Sequence, residues 1–310
     1  MAFSSPSASV EPFGPLTVIA DPAAGEGSVY AHLPALQRAL GHRPYTLHLA
    51  TSSAHTSEIA REALEGGRRF VVAVGDDGTV HDVLNGMFRD GATIVDRPVL
   101  GVVSAGSGCE LIRSFGLPDD DIVRSVRHLD GDTTYALDVM KVTTTDRDGA
   151  LRTEYAHNVA LIGLRAGVAN RRRGGNLGRF VGFWTAYARH GRRHLTVRVD
   201  TKTHELDGWD VIIGNGQFGG GMRLSPRSYP GDGVLDALVS TGPKADAYRL
   251  LPKIFMNGSH LPDPGVKELR AKIRVAIDAD RPMPVVVDGR AFGSTPATFQ
   301  ILASQLLLKL

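Results

Sequence analysis

Short apolar runs over residues 16–20, 45–50, 70–74 and 99–103 punctuate the first part of the chain, and each is followed by a turn of small or polar residues. Helical spacing follows most of these turns, in Leu33, Leu36 and Leu40, across residues 54–65, and in Val80, Val83, Leu84 and Met87. Gly66-Gly67 ends the second of these helices. The run from Phe70 to Val74 is unbroken and β-branched in its middle, which suits a central parallel strand covered on both faces. Strands alternating with helices predict a doubly wound α/β domain whose ligand lies outside the C-terminal strand ends.

Near Tyr135 the period changes. Runs over 135–142, 157–162, 195–199, 211–213, 234–239, 273–277 and 285–288 are strand-like and separated mostly by turns, which predicts a second, mainly β domain. Residues 179–193 are the exception. They read as a helix carrying Phe180, Phe183 and Trp184, flanked by arginines, whose aromatics pack on the β domain or, in the alternative reading, meet a membrane.

Composition narrows the class. With 310 residues and 42% hydrophobic positions, the chain can bury two cores, and a net charge of +2 gives no nucleic-acid footprint. A single cysteine, Cys109, rules out an internal disulfide framework and fits a reducing compartment, so the cytoplasm is expected. No run approaches the roughly 18 apolar residues of a membrane span. Contact with a membrane is therefore expected to be peripheral.

The chemistry concentrates in turns. Gly75-Asp76-Asp77-Gly78-Thr79 ends a buried strand and opens a helix, a place where free amides and the helix dipole attract phosphate. His81, Asp82 and Asn85-Gly86 follow it. Asp21-Pro22 with Gly25, and Ser104 to Glu110 with a later Gly116-Leu117-Pro118, are further strand-to-helix turns. Gly214-Asn215-Gly216, Gly219 to Met222 and Gly231 to Asp236 form a glycine-rich stretch, and Asp288-Gly289-Arg290 follows the penultimate strand.

Taken together and in order, these motifs resemble the diacylglycerol kinase catalytic family, which includes bacterial lipid kinases and the sphingosine and ceramide kinases. Several positions depart from its pattern. Asp76 stands for a Gly, Asp82 for a Glu, Cys109 for an Asn, Glu110 for an Asp, and Arg290 for a Glu. The resemblance implies a Rossmann-like nucleotide-binding domain over 15–137, completed by about 295–310. It also implies a sandwich-like lipid-substrate domain over 138–294, with 1–14 as a leader.

It further implies ATP and Mg²⁺, a lipid hydroxyl arriving at a membrane surface, and a homodimer as a candidate assembly. Asp21, Gly25, Thr51, Gly75, Asp76, Asp77, Gly78, Thr79, Gly106 and Ser107 are the implied nucleotide site. Asp232, with the backbone oxygens of Tyr229 and Val234, is the implied Mg²⁺ site. Asp77 is the implied acidic catalytic residue. Arg290 occupies the place of the proton-accepting Glu, and guanidinium carries donors only, so Asp77 and Asp288 are the alternative bases, Arg290 is a candidate for binding an anionic substrate or the transferring phosphoryl group, and Arg290→Glu is expected to raise a slow activity. Two alternatives stay open: a catalytically impaired regulatory relative that binds nucleotide or lipid, and a soluble-substrate kinase related to NAD kinase.

Overall fold

A computed structural model describes residues 13–24, 28–41, 43–104, 109–119, 121–145, 149–169, 187–188, 191–247, 249, 253, 258–261 and 263–310. Gly25, Gly106, Ser107, most of the leader and most of the aromatic helix expected over 179–193 lie outside the described residues. The first part is built from β1 (Leu16–Ala20), α1 (Ser28–Leu40), β2 (Tyr45–Leu49), α2 (Ser53–Glu65), β3 (Phe70–Gly75) and α3 (Asp77–Gly86). A small hairpin of β4 (Phe88–Arg89) and β5 (Ala92–Thr93) then leads to β6 (Val99–Ser104), α4 (Glu110–Ser114) and α5 (Ile122–Val126).

Strands β2, β1, β3 and β6 pair in that order, all parallel. β1, β3 and β6 are buried along their whole length, as their apolar runs require, and two separate clusters cover the two faces of the sheet. Ile19, Val71, Ala73, Leu100 and Val102 face α2 and α3, whereas Val18, Val72, Val74 and Val103 pack with Leu36 and Val126 of α1 and α5. The doubly wound domain and the β-rich domain after it are both present.

The second part contains β7 (Thr134–Thr145), β8 (Leu151–Ala156), β9 (Val159–Gly163), α6 (Leu164–Ala169), β10 (Arg193–Val199), β11 (Lys202–Gly208) and β12 (Asp210–Gly214). It continues through β13 (Phe218–Gly219), β14 (Met222–Arg223), β15 (Leu235–Ser240), β16 (Val266–Ala271), β17 (Arg274–Ala279), β18 (Pro284–Val287) and β19 (Arg290–Lys309). One layer runs β16-β15-β12-β9-β18-β19, and the other joins β11, β10, β17, β19, β7 and β8. Ile162, Val197, Val211, Val239, Val285 and Phe299 interdigitate between them.

β19 belongs to everything. It forms a hairpin with β18, pairs antiparallel with β17 and β7, and ends parallel to β6, where Leu307 and Leu308 face Val99 and Leu100. A single 15-stranded sheet results. Its bend comes at Ser304, a positive-φ residue whose N–H donates to Oδ1 of the buried Asp138 at 2.7 Å.

Candidate active site

The site lies where the C-terminal ends of β3 and β6 meet the second part. Gly75 and Ser104 are register partners, so the two strand ends are neighbours. Gly75 serves packing: a Cβ there would lie 2.2 Å from Thr79 Oγ1 and 3.2 Å from Ala24 Cβ. Asp76 caps α3, its Oδ1 accepting the Thr79 N–H at 3.1 Å. A carboxylate thus holds one of the helix-end amides that the sequence reserves for phosphate.

Asp77 takes the first turn of α3 and ties the two strand ends together. Its oxygens accept the Glu110 N–H at 2.9 and 3.1 Å, and Cys109 Sγ lies 3.4 Å from Oδ1. Burial and then Asp77 push the Cys109 thiol well above its usual range, so this cysteine packs and does not react. Glu110 reaches across to the second part, where its carboxylate accepts the N–H of Gly221 in the β13–β14 turn. Burial, then the neighbouring Asp77, raise the Glu110 carboxyl to about 7, against the opposing pull of the Gly221 N–H and His157.

A chain of alternating acids and histidines runs on from Asp77. His157 Nε2 lies 3.5 Å from Asp77 Oδ1, and its Nδ1 lies 3.0 Å from Asp288 Oδ2. Neither contact has the alignment of a hydrogen bond, so the ring acts here through its charge. His81 Nδ1 lies 3.2 Å from the same Asp288 oxygen, and its Nε2 lies 3.4 Å from Glu154. Burial would lower His157, but Asp288 and Asp77 overcome it and raise it to about 10. His81 is raised as well, Asp288 and Glu154 outweighing its burial.

Asp288 itself is fully enclosed and accepts three backbone N–H groups, from His157, Asn158 and Val159, at 3.0–3.1 Å. Burial opposes its charge, yet His157 and His81 hold it far below the usual carboxylate range. The suggestion that Asp288 swings in as a base therefore fails on physical grounds. An enclosed carboxylate between two histidines and under three N–H donors has nowhere to swing, and its depressed proton affinity unsuits it as a base.

Arg290 also differs from its sequence reading. Its guanidinium forks onto Asp82 at 2.5 and 2.8 Å, and it donates to the Gly78 carbonyl and Ser53 Oγ, both at 3.0 Å. Gly78 leaves the space: a Cβ there would lie 3.0 Å from the Arg290 Nη2. Departures at positions 82 and 290 thus answer one another. Asn85 adds a second join between the parts, its amide donating to the Tyr155 carbonyl and accepting the Tyr155 N–H, each at 2.9 Å. Gly86 lets α3 press on α2, since a Cβ would lie 2.2 Å from the Ser57 carbonyl.

Asp21 and Thr51 sit apart from this network. Asp21 closes a turn on the Ala23 N–H at 2.9 Å, and Thr51 bonds His55, while Ser52 caps α2. At the implied Mg²⁺ loop, Asp232 Oδ1 accepts the Val234 N–H at 3.0 Å and Oδ2 pairs with Arg270 at 3.3 Å. Arg270 also reaches Asp236 at 3.0 Å, and the Tyr229 carbonyl accepts the Gly231 and Asp232 N–H groups. Both oxygens of nearby Asp138 are held by the Gly233 and Ser304 N–H groups at 2.7 Å. With a guanidinium between the Asp232 and Asp236 carboxylates and two N–H groups on the Tyr229 carbonyl, these residues do not fit a resident Mg²⁺ ion.

Glu110, His81 and His157 are the functional candidates that the sequence reading did not single out. Glu110 registered only as an acid in place of another acid. His157 opens an apolar strand, where nothing in local pattern separates it from a buried polar residue.

Comparison with known proteins agrees with this architecture. Residues 165–309 match the YegS C-terminal NAD kinase beta sandwich-like domain, which places the second part among kinase-type sandwiches. Residues 15–142 match the diacylglycerol kinase catalytic domain, and the chain belongs to the diacylglycerol kinase catalytic family. It is 23% identical over 297 residues to a diacylglycerol kinase of Bacillus subtilis, covering 91% of each chain. It is 26% identical to a diacylglycerol kinase of Mycobacterium tuberculosis over 313 residues, covering 93% of this chain and 95% of that one. A solved diacylglycerol kinase structure from Bacillus anthracis shares the fold with a TM-score of 0.70 and 18% identity, over 95% of this chain and 96% of that one.

Proposed function

We propose that this protein is a lipid kinase that moves the terminal phosphoryl group of ATP to the hydroxyl of a lipid such as diacylglycerol or a sphingoid base. The observation that carries the reading is the Asp77–Glu110 tie. It joins the helix starts that follow two parallel strands, at the strand ends where α/β folds take ligands, and faces a glycine-rich turn of the β part. The family match and the names of the relatives supply the lipid and the nucleotide.

In this reading ATP enters as its Mg²⁺ complex, a substrate, against the turns after β1, β3 and β6. Phosphoryl transfer asks the protein mainly for positioning and electrostatics. His157, held between Asp288 and Asp77, fixes the Asp77 carboxylate across the cleft. Arg290 fixes α3 through Asp82 and Gly78. Membrane contact in this reading is peripheral; among the described residues no helix is long and apolar enough to cross a membrane.

A second reading, a nucleotide- or lipid-binding relative with weak turnover, draws on the Asp76 cap and on the commitment of Arg290 to Asp82. Incubating the protein with labelled ATP and mixed micelles of diacylglycerol or sphingosine, with NAD in parallel, separates the readings. Labelled lipid is expected. Label on NAD alone, or nucleotide binding without transfer, overturns the lipid-kinase reading.

A further inference from the structure

If the protein is a kinase, some group must take the proton of the attacking hydroxyl, and the obvious places are closed. Arg290 has only donors, committed to Asp82, Gly78 and Ser53. Asp288 is enclosed and saturated by three N–H groups and two histidines. Asp77 shares the single Glu110 N–H between its two oxygens and faces His157, a geometry that holds Glu110 in place.

Glu110 is different in each respect. It is partly exposed, it stands in the cleft between the two parts, and it has no cationic partner of the Lys or Arg type among the described residues. We propose that Glu110 is the catalytic base, the group that receives the proton of the lipid hydroxyl. The inference rests on the lipid-kinase reading above. In the step, the hydroxyl oxygen forms a bond to the terminal phosphorus of the nucleoside triphosphate. The bond from that phosphorus to its bridging oxygen breaks, and the electron pair leaves with the nucleoside diphosphate. The hydroxyl proton passes to the Glu110 carboxylate, which later releases it to water.

The surroundings set the affinity for that proton. Glu110 is faced by Asp77 from α3, His157 before β9, Asp288 from the β18–β19 turn and the Gly221 N–H from the β13–β14 turn. Their balance, with burial the largest contribution, leaves the carboxyl at about 7, where a base works best at neutral pH. The resemblance puts an Asp at this position, and the longer Glu side chain is what reaches Gly221.

Steady-state kinetics of the full chain with Mg-ATP and diacylglycerol or sphingosine micelles, from about pH 5.5 to 9, tests the proposal. Glu110→Gln is expected to lower kcat by about 10²- to 10⁴-fold with the KM for ATP within about twofold of the parent. The parent's rise in rate near pH 7 should vanish in that variant and persist, shifted, in Glu110→Asp. A Glu110→Gln variant that keeps the rise, or more than about a tenth of kcat, overturns the proposal and turns attention to Asp77. If the parent phosphorylates no acceptor, the lipid-kinase reading fails, and Glu110 is then judged by ¹³C NMR of carboxyl-labelled glutamate. A Glu110 signal that titrates below about pH 5, identified by its absence from Glu110→Gln, overturns the base assignment independently.

Discussion

Two Asp-Gly pairs, Asp77-Gly78 and Asp288-Gly289, each follow a buried strand and share the His157 ring, yet they do opposite things. Asp77-Gly78 opens a helix with ordinary backbone angles, and its glycine is there to leave room for Arg290. Asp288-Gly289 is a two-residue hairpin turn with φ of 43° and 82°, the pattern that favours such a dipeptide between antiparallel strands. One carboxylate is left at the cleft, and the other becomes the enclosed anchor for two histidines. The dipeptide does not determine the role; what surrounds each carboxylate does.

The largest effect should come from breaking the anchor. Asp288→Ala leaves the charged His157, His81 and three N–H groups without their acceptor, and a loss of about 3–5 kcal/mol is expected in denaturant unfolding. The same network sets the pH response. His157 is at about 10 in the folded state against about 6.5 unfolded, so its contribution is full below about pH 6.5 and is lost as pH rises toward 10. Asp288, depressed when folded, contributes above about pH 3.9 and loses that contribution on acidification. Melting temperature should therefore fall between about pH 7 and 10, and His157→Gln should flatten that limb. An unchanged alkaline limb in the variant would separate His157 from the anchor.

Next in size is Arg290→Glu. The pairing with Asp82 reverses the expectation drawn from the motif: a second carboxylate would now face Asp82. A loss on the order of 2 kcal/mol is expected, below the figure for a fully buried pair because Arg290 still meets water, together with lower activity. The double change Asp82→Arg with Arg290→Glu should restore part of the stability. A single variant as stable and more active than the parent would contradict the clamp.

Asp76→Gly sharpens the contrast from the other side. It frees the Thr79 N–H at a cost of only about 0.3 kcal/mol of helix capping, since Gly is itself a tolerated N-cap, and nucleotide affinity measured by calorimetry should rise several-fold. The smallest effect belongs to a third Asp-Gly pair, Asp232-Gly233. Asp232→Ala removes an exposed partner of Arg270, which keeps Asp236, so the change should stay within about 1 kcal/mol. Added Mg²⁺ should not shift the melting temperature of the parent; a clear rise would restore a metal at that loop.

The interior of the fold was legible in the sequence, and its rims were not. Strands such as β1, β3, β6 and β12 are buried on both faces, so their apolar runs announced them. Apart from the two-residue strands, those without a signal, β8, β11 and β16, sit at sheet edges, where polar residues such as those of Lys202–Gly208 face water. The candidate site divides the same way. Asp77 stands in a local motif, whereas Arg290 and Asp82 meet across 208 positions and His157 joins the site only through the sandwich. Local pattern carries backbone geometry; it does not carry which distant charge will be met.

The reach of β19 sets an order of assembly. A ribosome delivers this strand after every other strand described, so until it emerges β6 waits with an open edge and the two layers of the sandwich lack a common member. The nascent chain therefore carries an open β6 edge at Val99 and Leu100 from the time β6 emerges until the last residues of β19 are made. Closure is a late, long-range event that locks both parts at once. The full-length protein should consequently unfold as one cooperative unit even though its sequence reads as two.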